Sequence, residues 1–145
     1  MCVCTAVRRA DRTLSRIYDE ALRPSGLVTT QYSLLSIISR APGLLTLGEL
    51  AGAQAMDRTT LTRNLHPLER DGLVQVGSGR DRRTRVVSLT PSGTAALDNA
   101  RPLWRSAQAR IAHDAGSDRV DHLLAELAEL VARIQPTAKD SSSND

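Results

Sequence analysis

The amino-acid sequence predicts a mostly α fold with a small β-wing, that is, a winged helix-turn-helix joined to a helical dimerisation region. Three observations carry this expectation. Two amphipathic segments, 46–53 and 58–71, are separated by the three-residue turn Gln54-Ala55-Met56. Two short β-type runs follow around a polar, arginine-rich loop. Finally, 41% of the residues are hydrophobic but only 2% are aromatic: Tyr18, Tyr32 and Trp104, with no Phe. A chain this poor in rings fills its core with Leu, Val, Ile and Ala. Long amphipathic helices suit that composition, and they often complete their burial by pairing with a second chain.

The elements follow in order. Over 3–23, Val3, Val7, Ala10, Leu14, Ile17 and Ala21 recur at helical spacing, and Pro24-Ser25-Gly26 ends the run. Residues 30–40 form a second helix, apolar nearly all round, which predicts a central position. Thr46 and Glu49 have the spacing of a capping box for the short helix 46–53. Asp57 is placed to cap 58–71, and Gly72 to stop it. Val74–Val76 and Arg85–Leu89 read as the arms of a hairpin. Thr90 then caps a helix with Pro91 at its first position, running to about 115. Pro67 and Pro102 lie inside predicted helices and are expected to bend them. After Gly116-Ser117, residues 118–134 carry Val120, Leu123, Leu124, Leu127, Leu130, Val131 and Ile134 on one face. The expected organisation is a helical dimerisation region from 1–28 and 91–135, a winged module over 29–90, and a flexible tail over 136–145.

Charge is uneven rather than large. The formal net charge is +3, yet Arg80, Arg82, Arg83 and Arg85 crowd one loop, and Arg8, Arg9, Arg12 and Arg16 another segment. Clustered arginine favours a polyanion, although a solvated charged face has the same composition. No apolar run is long enough to span a membrane and no signal-peptide pattern opens the chain, so the expected location is cytoplasmic. His66, His113 and His122 are scattered, and no nucleophile–base set, phosphate-binding glycine loop or metal-ligand cluster is evident. The expectation is therefore no enzyme, no cofactor and no metal.

With Leu61 at the centre of the inward face of 58–71, Leu65 and Leu68 fall beside it. Thr59, Arg63, His66 and Arg70 fall opposite, with Thr60 and Thr62 on the flanks. Arg can grip guanine in a bidentate way, and Thr can donate, accept or touch a thymine methyl. The loop Gly79-Arg80-Asp81-Arg82-Arg83-Thr84-Arg85 is a basic hairpin tip, of the kind the negative potential of a minor groove attracts. Double-stranded DNA is the partner these two features predict together. Asp81 is acidic in a basic loop. It would either hold one guanidinium in a fixed direction or form an exposed ion pair of little value.

Taken together, Asp57-Arg-Thr-Thr-Leu-Thr-Arg-Asn-Leu65, Glu69-Arg-Asp-Gly-Leu-Val74, Asp81-Arg-Arg83 and Leu89-Thr-Pro-Ser-Gly93 resemble the MarR (multiple antibiotic resistance regulator) family. The helix order extends the resemblance over about 3 to 135. It implies a homodimer whose first, fifth and sixth helices interlock and whose winged modules bind a palindromic operator; the expected role is that of a repressor. It implies that 58–71 reads the major groove, and that Arg83 enters the minor groove while Asp81 orients it.

Cys2 and Cys4 admit three readings: small apolar residues at a helix start, two thiolates of a metal site, or a thiol switch. The first two helices are similar to the organic-hydroperoxide-sensing branch of the family. Cys4, Tyr18 and the pair Gln31-Tyr32 match that branch's reactive cysteine, its tyrosine partner and its Gln-Tyr pair. Arg8 and Thr29 stand where that branch has two further tyrosines. The resemblance makes Cys4, rather than Cys2, the expected reactive thiol. A small-molecule effector is an alternative, with Tyr18, Tyr32, Trp104 or His113 as lining residues and the cysteines purely structural. A winged-helix interaction module that binds no DNA is a further alternative.

Overall fold

The computed structural model describes residues 2–134. The expected tail over 136–145 lies outside the described residues. The chain forms α1 (Val3–Leu22), a 3-10 turn (Arg23–Ser25), α2 (Thr29–Arg40), β1 (Leu45–Thr46), α3 (Leu47–Ala53), α4 (Arg58–Arg70), β2 (Val74–Ser78), β3 (Arg85–Leu89), α5 (Pro91–Ala115) and α6 (Ser117–Ile134). The fold class is the one predicted: mostly helical, with a small antiparallel sheet. Among the described residues, no helix is long and apolar enough to cross a membrane.

The sheet has one strand more than the sequence reading. Its order is β1-β3-β2, with Leu45 opposite Val87 and Thr46 opposite Val86. Two residues are too few to show a period, so β1 exists only because β3 offers its free edge. On the other side β3 pairs in register with β2, from Val74–Leu89 at the base to Ser78–Arg85 at the tip. The helices run through both prolines, α4 through Pro67 to Arg70 and α5 through Pro102 to Ala115.

The chain divides into two compact units, with the boundary in α5 after Ala107. The first unit holds the core, in which Leu22, Leu34, Leu35, Leu50, Leu61, Leu68, Val87 and Leu97 are the largest fully buried side chains. α2 is central to it, as its all-round apolarity predicts, with Tyr32, Leu34, Leu35 and Ile38 buried. α1 is tied to the start of α2 by Asp19, whose Oδ1 accepts the Thr29 N–H at 2.7 Å and the Thr29 hydroxyl at 2.6 Å. In the second unit, none of the described residues of α6 is buried.

The segment from α3 to α4 is set by local chemistry. Thr46 Oγ1 accepts the Glu49 N–H at 3.1 Å, and Glu49 Oε2 accepts the Thr46 N–H at 2.8 Å, completing the capping box. These bonds hold the Glu49 carboxyl below its usual pKa, the Thr46 backbone contributing most. In the turn, Met56 N–H donates to Ala51 O at 2.9 Å, and Gln54 Nε2 donates to Ser33 Oγ of α2 at 2.9 Å. Ala55 takes a left-handed φ of 50°, which strains an L-residue bearing a Cβ. Gly72, at φ 72°, ends α4 at the position the sequence assigns to a helix stop.

Candidate nucleic-acid interface

Asp57 starts α4. Its Oδ1 accepts the Thr60 N–H at 2.8 Å and its Oδ2 accepts the Thr60 hydroxyl at 2.8 Å. The two bonds, the backbone one first, hold its carboxyl below the ordinary carboxylate range. With the first turn pinned, Leu61, Leu65 and Leu68 enter the core, and the opposite face is left to solvent.

That face is a shallow groove lined by Arg58, Thr59, Thr62, Arg63 and His66. The structure thus gathers four of the six α4 residues selected from the sequence, Thr59, Thr62, Arg63 and His66. Of the other two, Thr60 is half-buried, and its hydroxyl proton is committed to Asp57. The correction has a simple cause, since a hydroxyl within reach of the cap carboxylate serves the cap before any ligand. Thr62 stays in the groove but donates its hydroxyl to Arg58 O at 2.9 Å, leaving its lone pairs and methyl for a partner. Arg70 turns to Asp71, with Nε 3.0 Å from Oδ1. Arg58 is the residue that sequence reasoning missed. A helical wheel puts it about 60° from Leu61, on the covered side. It lies on the first turn, where it remains exposed.

The wing brings Arg80, Arg82, Arg83 and Arg85 together, all exposed, along with exposed Asp81. Its tip is closed by Gly79 N–H donating to Thr84 O at 2.7 Å and Thr84 N–H donating to Asp81 O at 3.0 Å. Asp81 Oδ1 accepts the backbone N–H of Arg83 at 3.1 Å. Among the described residues, Asp81 forms no ion pair with a wing arginine. The expected clasp between carboxylate and guanidinium is therefore a turn instead, a side chain capping its own loop two residues on.

Cys2 and Cys4 are both exposed free thiols at the start of α1. Cys2 is the N-cap residue. The Thr5 and Cys4 backbone N–H groups lower its thiol pKa, Thr5 foremost, although no full side-chain capping bond closes. The open N–H groups of a helix start act in this way on the residue at the cap. Tyr18 sits fourteen residues beyond Cys4 in α1, about 21 Å along the axis, so the two do not meet within one chain.

Within the chain, Tyr18 stacks with the tryptophan, which stacks with the other tyrosine. Its centroid is 6.5 Å from that of Trp104, and Tyr32 lies 5.6 Å from Trp104 on similar planes. Burial pushes both phenols up, and at Tyr32 this is opposed by the charges of Arg101, Arg105 and Arg40. His113 is exposed on α5 beyond Ala107. Among the described residues no cluster of His, Cys, Asp and Glu is arranged to hold a metal ion.

A two-helix motif that turns Arg, Thr and His outward, followed by an arginine-tipped hairpin, defines the winged helix-turn-helix class of transcriptional regulators. Within that class, the chain belongs to the MarR family. The family's own sequence model matches residues 25–84. The crystal structure of Mycobacterium tuberculosis transcriptional regulator MosR in complex with DNA is 45% identical, with TM-score 0.82, covering 93% of this chain and 99% of that one. The transcriptional repressor CouR, bound to a 23-mer DNA duplex, is 27% identical, with TM-score 0.80, covering 90% and 92%. The transcriptional activatory protein BadR of Rhodopseudomonas palustris is 34% identical over 116 residues, which are 77% of this chain and 66% of BadR. The chain therefore spans slightly less than two thirds of the length of that curated relative. These relatives are transcriptional regulators, not enzymes.

Proposed function

We propose that this protein is a cytoplasmic, homodimeric repressor that binds a palindromic DNA operator and is released by thiol oxidation or by an effector. The observation that carries the reading is the groove of Arg58, Thr59, Thr62, Arg63 and His66 on α4, with the four exposed arginines of the wing on the same module. α4 reads base edges in the major groove, and Arg83 enters the minor groove from a tip shaped by Asp81. The DNA complexes of MosR and CouR support this reading.

Unpartnered apolar surface supports the dimer. Leu123, Leu124, Leu130, Val131 and Ile134 of α6 are 39–69% exposed, and Val3 and Val7 of α1 are exposed too. A soluble chain covers such a face with a partner, here a second copy. Two α4 helices then meet half-sites about 34–36 Å apart. In this reading a dimer occupying promoter DNA represses by standing in the way of the polymerase. CouR is described as a repressor and BadR as an activatory protein, so a promoter–reporter assay with and without the gene assigns the sign.

Release by oxidation starts at the Cys2–Cys4 segment. A thiolate attacks the outer oxygen of a hydroperoxide, forming a sulfenic acid and expelling the alkoxide, which takes up a proton to leave as the alcohol. The new polar group lies beside the apolar Val3 and Val7. The alternative, an effector with structural cysteines, is favoured by the Tyr18–Trp104–Tyr32 stack with Arg40, Arg101 and Arg105 acting on Tyr32. Mobility shift on the promoter of its own gene tests the whole reading. Binding should weaken with salt, be lost in Arg63→Ala, and be relieved by hydroperoxide in wild type but not in Cys2→Ser/Cys4→Ser. Release that persists without both thiols makes the cysteines structural and favours the effector reading. No salt-dependent binding at all overturns the DNA reading in favour of a protein-interaction module.

A further inference from the structure

The corner where α4 hands over to β2 is also the place where α5 begins, and the contact between them is unusually close. Thr90 Oγ1 donates to Gly72 O at 2.6 Å and accepts the Gly93 N–H at 3.0 Å. Thr90 N–H donates to Leu73 O at 3.1 Å. One hydroxyl thus caps α5 and at the same time ties it to the residue that ends α4. Gly93 is buried, and a Cβ built on it would lie 1.8 Å from Leu73 O and 2.8 Å from Leu73 C. Both are backbone atoms and cannot swing aside as a flexible side chain can. The Val74–Leu89 pair closes the base of the wing at the same corner. Capping alone needs only the acceptor role of Thr90, and a helix start alone does not need a missing Cβ. The surplus bonds and the close approach hold the first turn of α5 directly on Gly72 and Leu73, the turn that leads from α4 into β2.

We propose that Thr90 and Gly93 are positioning residues for operator recognition: they fix the direction of α5 against α4 and so set the half-site separation that a dimer accepts. Neither residue touches DNA; both act through α4. The inference rests on the dimeric, palindrome-binding reading above. If α5 could pivot at this corner, one dimer would accept operators of several spacings. With the corner locked, each inserted base pair shifts a half-site along and around the duplex and costs contacts.

The test uses the full chain and a palindromic duplex selected by the wild-type protein from a random library, then remade with one or two base pairs added to or removed from its centre. Wild type should discriminate against a one-base-pair change by about tenfold or more, the value of roughly one good base contact. Three variants separate the roles of the hydroxyl. Thr90→Ser keeps the donor and the acceptor, Thr90→Asp keeps the cap acceptor but removes the donor to Gly72, and Thr90→Val removes both. The spacing ratio should survive in Thr90→Ser and collapse towards unity in Thr90→Asp and Thr90→Val. Thr90→Asp keeps the test decisive if loss of the cap unfolds Thr90→Val. Wild-type spacing ratios in Thr90→Asp, or an equal loss of affinity at every spacing, overturn the inference and leave the DNA reading standing. Failure of wild type to select any palindrome overturns both.

Discussion

α4 and α6 carry similar leucine spacing and meet opposite fates. In α4, Leu61, Leu65 and Leu68 are 0–3% exposed, so the face that remains visible is polar. In α6, Leu123, Leu124 and Leu130 keep 39–53% of their surface, and the charged side is solvated as well. Periodicity states which residues share a face; it does not state what covers that face. For α4 the cover is the chain's own core, and its working surface is the polar remainder. For α6 the apolar face has no cover among the described residues of its unit, so the apolar face is itself the candidate working surface.

The largest effect should come from breaking α6. Leu123→Lys with Leu130→Lys removes two apolar side chains from each copy of a dimer, each worth about 1.5–3 kcal/mol when buried. Sedimentation equilibrium should show a monomer at micromolar concentration where wild type is a dimer. An unchanged molar mass would mean that α6 is solvated and that the comparison fails. Next, Leu61→Ala in α4 should cost about 2–5 kcal/mol by denaturant unfolding, through lost burial and a residual cavity. Because that core is internal, the cost should not vary with protein concentration, unlike that of the α6 variant. Third, Arg83→Ala in the wing should weaken operator binding by about 1–3 kcal/mol and flatten the salt dependence, without moving the melting temperature. Unchanged affinity in fluorescence anisotropy would remove the wing from the interface.

Smaller effects sharpen the account of α3 and α4. Thr46→Ala should cost about 0.5–2 kcal/mol as a lost cap, read by thermal melting. Glu49 and Asp57 have folded-state pKa values below their ordinary ones, so their stabilisation is complete at neutral pH. It is lost as pH falls below the unfolded values of about 4 and through the lowered folded ones. An acid titration of stability should therefore be shallower in Asp57→Asn than in wild type. Ala55→Gly should leave stability nearly unchanged or slightly higher, since relief of left-handed strain, about 1–2 kcal/mol, is offset by about 0.4–1 kcal/mol of unfolded-chain entropy.

Much of the first unit is legible in the sequence because its signals are local. The capping box at Thr46 and Glu49, the Asp57 cap, the Gly72 stop and the Thr90 cap each depend on atoms three or fewer residues apart, and each occurs where its residues predict. The α4 groove was legible in four residues for the same reason. The exceptions involve competition or reach. Thr60 satisfies the cap carboxylate, Arg58 escapes the covered side on the first turn, and Asp81 binds a backbone N–H in place of a guanidinium. Each of these outcomes turns on an ångström-scale choice between two acceptable partners, which residue type alone does not make.

The sequence by itself determined the helices, the hairpin, their boundaries to within one or two residues, and the outward Arg, Thr and His of α4, because hydrophobic period and capping chemistry are properties of neighbouring residues. Only the tertiary structure decided the remainder. β1 needs the edge of β3, thirty-nine or more residues away. The Tyr18–Trp104–Tyr32 stack needs α1, α2 and α5 to converge. The seat of Gly93 on Leu73 needs two backbones to touch. These contacts join residues from twenty to eighty-six positions apart, and no local pattern records a meeting that only the folded chain creates.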